Sequence, residues 1–167
     1  MSDPTGGGRK RIALVAHDSM KREMADWVRT NAERLRQHSL VATGTTGRVV
    51  SRVLGEGAVT PLKSGPLGGD QQLGAMIAES GLDLLIFFVD PMTPLPHDVD
   101  VKALTRLAIL YNLPMACNRS TADLLIESPG LWDSYQRAEP DYSAYISRIV
   151  EQSVPDLGAD DDGGGSP

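Results

Sequence analysis

Among its 167 residues the sequence has a single cysteine, Cys117, so an internal disulfide bond is excluded. It also lacks any run near the ~18–20 apolar residues that a membrane-spanning helix needs. Its N-terminal residues have no apolar segment typical of a secretory signal. These absences exclude a transmembrane protein, and we expect a protein of the reducing cytoplasm.

An excess of basic residues is missing as well. Five of the 22 acidic residues lie in residues 151–167, which contain no Lys or Arg, so the other 17 nearly balance the 16 basic residues of the body. Proteins that bind nucleic acid usually carry a basic field. We therefore expect neither a nucleic acid nor a membrane as partner.

The length fits one domain with a substantial core. Residues 1–8 and 155–167 are rich in Gly, Pro and Asp, which bury too little apolar surface to offset the entropy of ordering. We expect both ends to be disordered and residues 9–154 to form a single α/β domain.

Within that domain, short apolar runs alternate with segments of helical period, the pattern of βαβ units around a parallel sheet. The predicted strands are residues 12–16, 39–42, 59–62, 84–89 and 114–117. The predicted helices are residues 19–35, 47–54, 71–79, 99–110, 122–126 and 142–150.

Ligands of such sheets bind beyond the carboxyl ends of the strands, and here all five strand ends carry polar or glycine-rich segments. After the second strand, TGTTG at residues 43–47 offers backbone N–H groups, hydroxyls and a helix N-terminus, which suit a phosphate dianion. Lys21, one turn after His17-Asp18, could add a positive charge. A tight turn with threonine caps explains TGTTG equally well, and neither a Walker A loop nor GxGxxG is present.

Two further segments could carry acid–base chemistry. SGPLGGD, residues 64–70, delivers Asp70 to the start of a helix, where it is either a cap or a carboxylate that its glycines expose to a small ligand. PHDVD places His97 beside Asp98 and Asp100, which suits proton transfer but also a surface turn with a helix cap.

The remaining candidates carry less chemistry. His38 follows a helix away from the strand ends, so we expect a helix-terminal or surface histidine. Cys117 has no second Cys or His at metal or redox spacing, so we expect a small buried residue. The histidines and aspartates lie on different loops without a ligand motif, so no metal is expected.

Five segments together resemble a known family, methylglyoxal synthase. They are VAHDSMK, ATGTTGRVVSR, SGPLGGDQQLGAMI, IFFVDPMTPLPHDVDVKALTRLA and CNRSTADLLI, in this order between about residues 10 and 126. The resemblance implies a three-layer α/β/α fold with a five-stranded, mostly parallel, doubly wound sheet, and a homohexamer. It implies a carbon–oxygen lyase without cofactor, which converts dihydroxyacetone phosphate into methylglyoxal and inorganic phosphate as a bypass of glycolysis.

The resemblance also implies roles for individual residues. Asp70 is the catalytic base, assisted by His97 and Asp100, with Asp90 and Asp98 in support. The residues expected to bind the substrate, chiefly through its phosphate, are His17, Lys21, Thr43, Gly44, Thr45, Thr46, Ser64, Gly65 and His97. The family's C-terminal arginine has only an offset counterpart here, Arg148.

The residues themselves are consistent with this chemistry. Proton abstraction beside a carbonyl needs a carboxylate base and hydrogen-bond donors at the carbonyl oxygen. The expectation that the enediolate loses phosphate, rather than being reprotonated as in an isomerase, rests on the resemblance. A non-catalytic module that binds a phosphorylated effector would need the anion-binding loops without Asp70, His97 and Asp100, and a purely structural subunit would not need five polar strand ends. Inorganic phosphate, the product, is the expected inhibitor.

Overall fold

The computed structural model describes residues 8–92, 98–133 and 135–153, and for residues 98–100 and Trp132 it describes the backbone alone. The terminal segments predicted to be disordered lie outside these ranges apart from Gly8, and so does His97. Among the described helices, none has the length and apolar character to cross a membrane.

Five parallel strands form one sheet in the order β3-β2-β1-β4-β5. The strands are β1 (Arg11–Ala16), β2 (Ser39–Ala42), β3 (Val59–Pro61), β4 (Leu84–Phe88) and β5 (Met115–Ala116). The helices are α1 (Lys21–Thr30), α2 (Ala32–Leu35), α3 (Gly44–Leu54), α4 (Gly69–Ala78), α5 (Asp98–Leu110), α6 (Arg119–Glu127), α7 (Pro129–Trp132) and α8 (Ser143–Ser153). This confirms the predicted fold class.

Each face of the sheet has its own apolar core, because successive side chains of a strand point to opposite faces. On one face, Ile12 and Leu14 of β1 pack with Trp27 of α1 and residues of α3 and α6. On the other, Ala13 and Val15 pack with Leu73 of α4 and residues of α5. The strands are therefore nearly all apolar, as buried parallel strands are.

The chain reverses its direction of winding at β1, which pairs with β2 on one side and β4 on the other. β1 and β4 stay paired up to Ala16 and Phe88, and the His17 N–H then donates to the Phe88 carbonyl at 3.1 Å. The crevice beyond these ends is the switch point where ligands of open α/β sheets bind.

Several helical predictions need correction; α6, for example, begins at Arg119 rather than residue 122. The long helix predicted for residues 19–35 is a 3-10 turn (Asp18–Met20), α1 and α2, interrupted at Asn31, whose side-chain amide donates to the Trp27 carbonyl at 3.0 Å. α3 begins at Gly44 rather than residue 47. The short α7 was not predicted, although Ser128 accepts from the Gly130 N–H at its start and Pro129 follows, a typical helix N-terminus.

The predictions for two side chains need correction. His38 follows the end of α2, as expected of a helix-terminal histidine, but it is buried rather than on the surface, and its Nδ1 accepts from the Lys10 N–H at 3.3 Å. Burial lowers the pKa of His38. Cys117 is exposed because β5 ends at Ala116, although partial burial still raises the pKa of its thiol.

Candidate active site

A pocket of about 170 Å³ opens at the carboxyl ends of the central strands. Six residues singled out from the sequence line it: His17, Lys21, Thr43, Thr45, Gly65 and Asp70. A larger cavity of about 770 Å³ lies at the amino ends of the strands, at the opposite edge. Since His17, Asp70 and residues of both glycine-rich segments line the smaller pocket, it is the candidate active site.

His17 is held in one orientation by its neighbours. Its Nδ1 accepts from the Asp90 N–H at 2.9 Å, and its ring meets the edge of Phe87 at 5.1 Å between centroids. A ring nitrogen that accepts a backbone N–H carries no proton, so the neutral ring has its proton on Nε2. His17 can therefore donate one hydrogen bond from Nε2.

Lys21 provides the positive charge of the pocket. Its side chain is 19% exposed and pairs with Asp18, whose side chain is 95% exposed. The Lys21 ammonium, by hydrogen bond and charge, lowers the pKa of Asp18. An ion pair with so exposed a carboxylate is weakened by water and salt, so Lys21 can exchange Asp18 for a bound anion.

The TGTTG segment forms the first turn of α3. Thr43 is the N-cap residue, but its side chain makes no capping hydrogen bond, and Thr45 lines the pocket. The Thr46 hydroxyl is buried and bonds to the Ala16 N–H at 3.2 Å and the Ala16 carbonyl at 3.4 Å. Thr46 therefore ties α3 to β1, while the N–H groups of the first turn have the chemistry to bind an anion.

Gly44 brings this turn against the next segment. Its N–H donates to the Lys63 carbonyl at 3.0 Å, and a Cβ at Gly44 would lie 2.8 Å from the Ser64 nitrogen. The two glycine-rich segments therefore pack backbone to backbone. Ser64 and Gly44 lie in this contact, next to the residues that line the pocket.

Asp70 is the second residue of α4, which Gly68 caps, so the structure does not support the interpretation of Asp70 as an N-cap. Two glycines bring it there: Gly68 has φ of +99°, and a Cβ at Gly69 would lie 2.0 Å from the Lys63 carbonyl oxygen. The Asp70 carboxylate lies over Gly65, where a Cβ would come within 2.8 Å of its Oδ2. The carboxylate thus faces the pocket from the first turn of a helix.

The beginning of α5 forms a further side of the pocket. Asp98 and Asp100 lie in its first turn, and Val101 and Leu104 line the pocket. His97 precedes this turn and lies outside the described residues. The described ranges contain no group of three or more His, Cys, Asp or Glu side chains that could hold a metal ion.

Sequence analysis missed several pocket residues. Val15, Ala16, Pro66, Phe87, Val101 and Leu104 line it without any polar signal, and Asp18 was noted only as a neighbour of His17. The period-two pattern of β4 could have placed Phe87 on the same face as Val15. Arg148 is on α8, 5.8 Å from the centre of the Tyr145 ring, and it does not line the pocket in the described chain.

The fold and the pocket define a parallel α/β domain whose switch point brings together a histidine, a lysine, the Asp70 carboxylate and a helix N-terminus. A family model described as an MGS-like domain matches residues 23–117, more than half of the chain.

Individual related proteins identify the family more specifically than the family model does. The methylglyoxal synthase of Oleidesulfovibrio alaskensis is 54% identical over 142 residues, covering 85% of this chain and 97% of that protein. That of Saccharophagus degradans is 52% identical over 154 residues, covering 91% and 99%. The crystal structure of methylglyoxal synthase from Elizabethkingia anophelis matches with a TM-score of 0.79 at 51% identity, covering 84% of this chain and 91% of that one. The chain belongs to the methylglyoxal synthase family.

Proposed function

We propose that the protein converts dihydroxyacetone phosphate into methylglyoxal and inorganic phosphate, as a carbon–oxygen lyase that uses no cofactor. The observation that carries the proposal is the position of the Asp70 carboxylate, against Gly65 and in one pocket with Lys21 and the first turn of α3. A pocket of this kind can bind the phosphate group of a small molecule and place the Asp70 base against the same molecule.

In the first step, Asp70 removes a proton from the hydroxymethyl carbon of the substrate. The electron pair of that C–H bond forms a C=C bond, and the carbonyl oxygen takes up negative charge as an enediolate. Hydrogen-bond donors at that oxygen lower the barrier. His17 offers such a donor through Nε2. His97 is another candidate donor, and the family resemblance implies that Asp100 assists and that Asp98 supports the site.

In the second step, the enediolate expels phosphate. The hydroxyl on the former hydroxymethyl carbon gives its proton to the enediolate oxygen and forms a C=O bond, and the C=C bond shifts toward the phosphate-bearing carbon. The C–O bond of that carbon breaks with its electron pair leaving on phosphate, which takes up a proton and departs as the hydrogen phosphate dianion. The enol aldehyde left behind tautomerises to methylglyoxal. Lys21 and the N–H groups of α3 stabilise the departing dianion, since helix N-termini and ammonium groups favour negative charge.

The test is a single assay. Purified protein is mixed with dihydroxyacetone phosphate in buffer containing a chelator, and methylglyoxal, free phosphate and glyceraldehyde 3-phosphate are measured. We expect methylglyoxal and phosphate in equal amounts. Formation of glyceraldehyde 3-phosphate instead would identify an isomerase, and binding without turnover would identify the non-catalytic module.

We expect inorganic phosphate to compete with the substrate, because the donors that hold a phosphate ester also hold the free dianion. Millimolar phosphate should raise the apparent KM several-fold and leave kcat unchanged. Lys21→Ala should weaken this inhibition, and chloride at equal ionic strength is the control. Activity that is indifferent to tens of millimolar phosphate would contradict the assignment of α3 as the phosphate site.

We further propose a cytoplasmic homo-oligomer, a hexamer by the family resemblance. α8 supports an oligomer, because none of its residues is buried by the part of the chain that the structure describes. Its residues Tyr145, Ile146, Ile149 and Val150 are 42–59% exposed and share one face of the helix. An apolar stripe of this kind on a soluble protein favours a contact with another copy.

This predicts that charges on α8 dissociate the assembly. The double variant Ile146→Asp, Ile149→Asp should shift the mass measured by light scattering to smaller species, because each carboxylate would be buried in the contact. Glu151→Gln, on the same helix, is the control and should leave the mass unchanged. A wild-type protein that is monomeric at micromolar concentration would disprove the proposal.

A further inference from the structure

Two loops that follow neighbouring strands are joined by side-chain hydrogen bonds around His17, which lines the pocket. The Asp90 N–H, after β4, donates to Nδ1 of His17, after β1, at 2.9 Å. The Ser19 hydroxyl, two residues beyond His17, donates to Asp90 Oδ2 at 2.6 Å. The segment after β1 therefore accepts one hydrogen bond from Asp90, at His17, and donates another to it, from Ser19.

The Asp90 carboxylate is held through both of its oxygens. Oδ1 accepts from the Met92 N–H at 2.9 Å, a contact within its own loop, while Oδ2 accepts from Ser19. The Met92 contact shapes the loop but does not join it to β1. Of these two contacts, the Ser19 bond is the one that joins the Asp90 side chain to the segment after β1, in addition to the backbone bond from the His17 N–H to the Phe88 carbonyl.

The position of the Asp90 N–H favours one tautomer of His17. With the Asp90 N–H directed at Nδ1, the proton of the neutral ring is on Nε2, as described above. If Asp90 shifts, Nδ1 loses its donor, and the ring can carry its proton on either nitrogen. A ring protonated on Nδ1 offers a lone pair from Nε2, which repels an anionic oxygen instead of binding it.

We propose that Ser19 is a positioning residue: its hydroxyl clamps the β4 loop to the β1 loop, so that His17 presents an Nε2–H donor to the substrate. The proposal rests on the proposed function for the identity of the substrate, but not for the state of the ring. Ser19 is exposed and lies in the 3-10 turn that leads into Lys21, so removing its hydroxyl opens no cavity in the core. A bond from a hydroxyl to a carboxylate is charge-assisted and strong enough for this role.

The test compares Ser19→Ala with Ser19→Thr, which keeps a hydroxyl. Protein labelled with ¹⁵N in its imidazole rings reports the tautomer of each histidine by NMR in the absence of substrate. We expect His17 to be protonated on Nε2 in the wild type and in Ser19→Thr, and to show a mixture of both tautomers in Ser19→Ala. Thr30→Ala, which removes another exposed hydroxyl with one hydrogen bond, to the Asp26 carbonyl, is the matched control and should change nothing.

Kinetics give a second measurement. For Ser19→Ala we expect kcat/KM to fall about tenfold, the effect of one lost charge-assisted hydrogen bond, mainly through a lower kcat, because the His17 donor acts on the oxygen that gains charge in the first step. Ser19→Thr should restore most of it. An unchanged His17 tautomer in Ser19→Ala would overturn the proposal whatever happens to the rate. A wild-type protein that makes no methylglyoxal would overturn the proposed function and leave the tautomer result to decide the role of Ser19.

Discussion

Asp70→Asn lowers kcat by about 10³-fold or more if Asp70 is the base, because an amide cannot accept the proton that the first step removes. Asparagine has nearly the same size and fits the first turn of α4, so the variant should fold and assemble normally. Its affinity for a phosphorylated substrate analogue should be unchanged or higher, since one negative charge near an anionic ligand is gone. Steady-state kinetics and calorimetric titration of the analogue measure the two effects separately.

The matched control is Asp26→Asn, on the exposed side of α1. Asp26 pairs with Arg29, and both side chains are at least 60% exposed, so the loss of its charge should alter neither rate nor stability by a measurable amount. If Asp70→Asn turns over within a few-fold of the wild type, the base is another carboxylate. Asp98 and Asp100, in the first turn of α5, would be the next to examine.

Gly65→Ala should lower kcat by about 10²-fold, although residue 65 has no functional group to lose. The new methyl group would lie 2.8 Å from Asp70 Oδ2, closer than a Cβ and a carboxylate oxygen can approach, so the carboxylate has to move. A displacement of about 1 Å of a reacting group is enough for a loss of this size. Phosphate inhibition should change much less, because Lys21 and α3 are untouched, and comparing kcat with the inhibition constant measures the difference.

Gly130→Ala is the control for this substitution. In α7 a Cβ at Gly130 would meet its nearest neighbours at 3.5–3.8 Å, which is ordinary van der Waals contact. We expect wild-type kinetics from it. Wild-type kinetics from Gly65→Ala as well would mean that Asp70 adjusts freely and that its position over Gly65 has no catalytic importance.

Local patterns in the sequence were sufficient to predict the strands and to indicate the sheet end at which the candidate site lies. The apolar run at residues 84–89 and the polar segments after each strand depend on burial and on strand direction, which neighbouring residues determine. The family resemblance, rather than the pattern, supplied the roles of Asp70 and His97. These roles remain predictions.

What sequence reasoning missed depends on contacts between distant segments. Nothing near His38 indicates that the Lys10 N–H will meet its ring, and nothing near Thr46 indicates that Ala16 will occupy its hydroxyl. The approach of Asp70 to Gly65 likewise follows from how the 3-10 turn (Gly65–Leu67) leads into α4. Such contacts are set by packing in three dimensions, which residue types and periodicity do not encode locally.

Because the strands are parallel, the candidate active site and the turns that lead into the strands lie at opposite edges of the sheet. All five strands begin at one edge of the sheet and end at the other, where the pocket lies. The turn between α3 and β3, residues 55–58, is at the edge where the strands begin, so it is remote from the pocket. Gly55 and Gly57 in that turn have open space around them, with nothing within 4 Å of an added Cβ. We therefore expect this turn to tolerate inserted residues or an attached reporter group without a change in the geometry of the pocket.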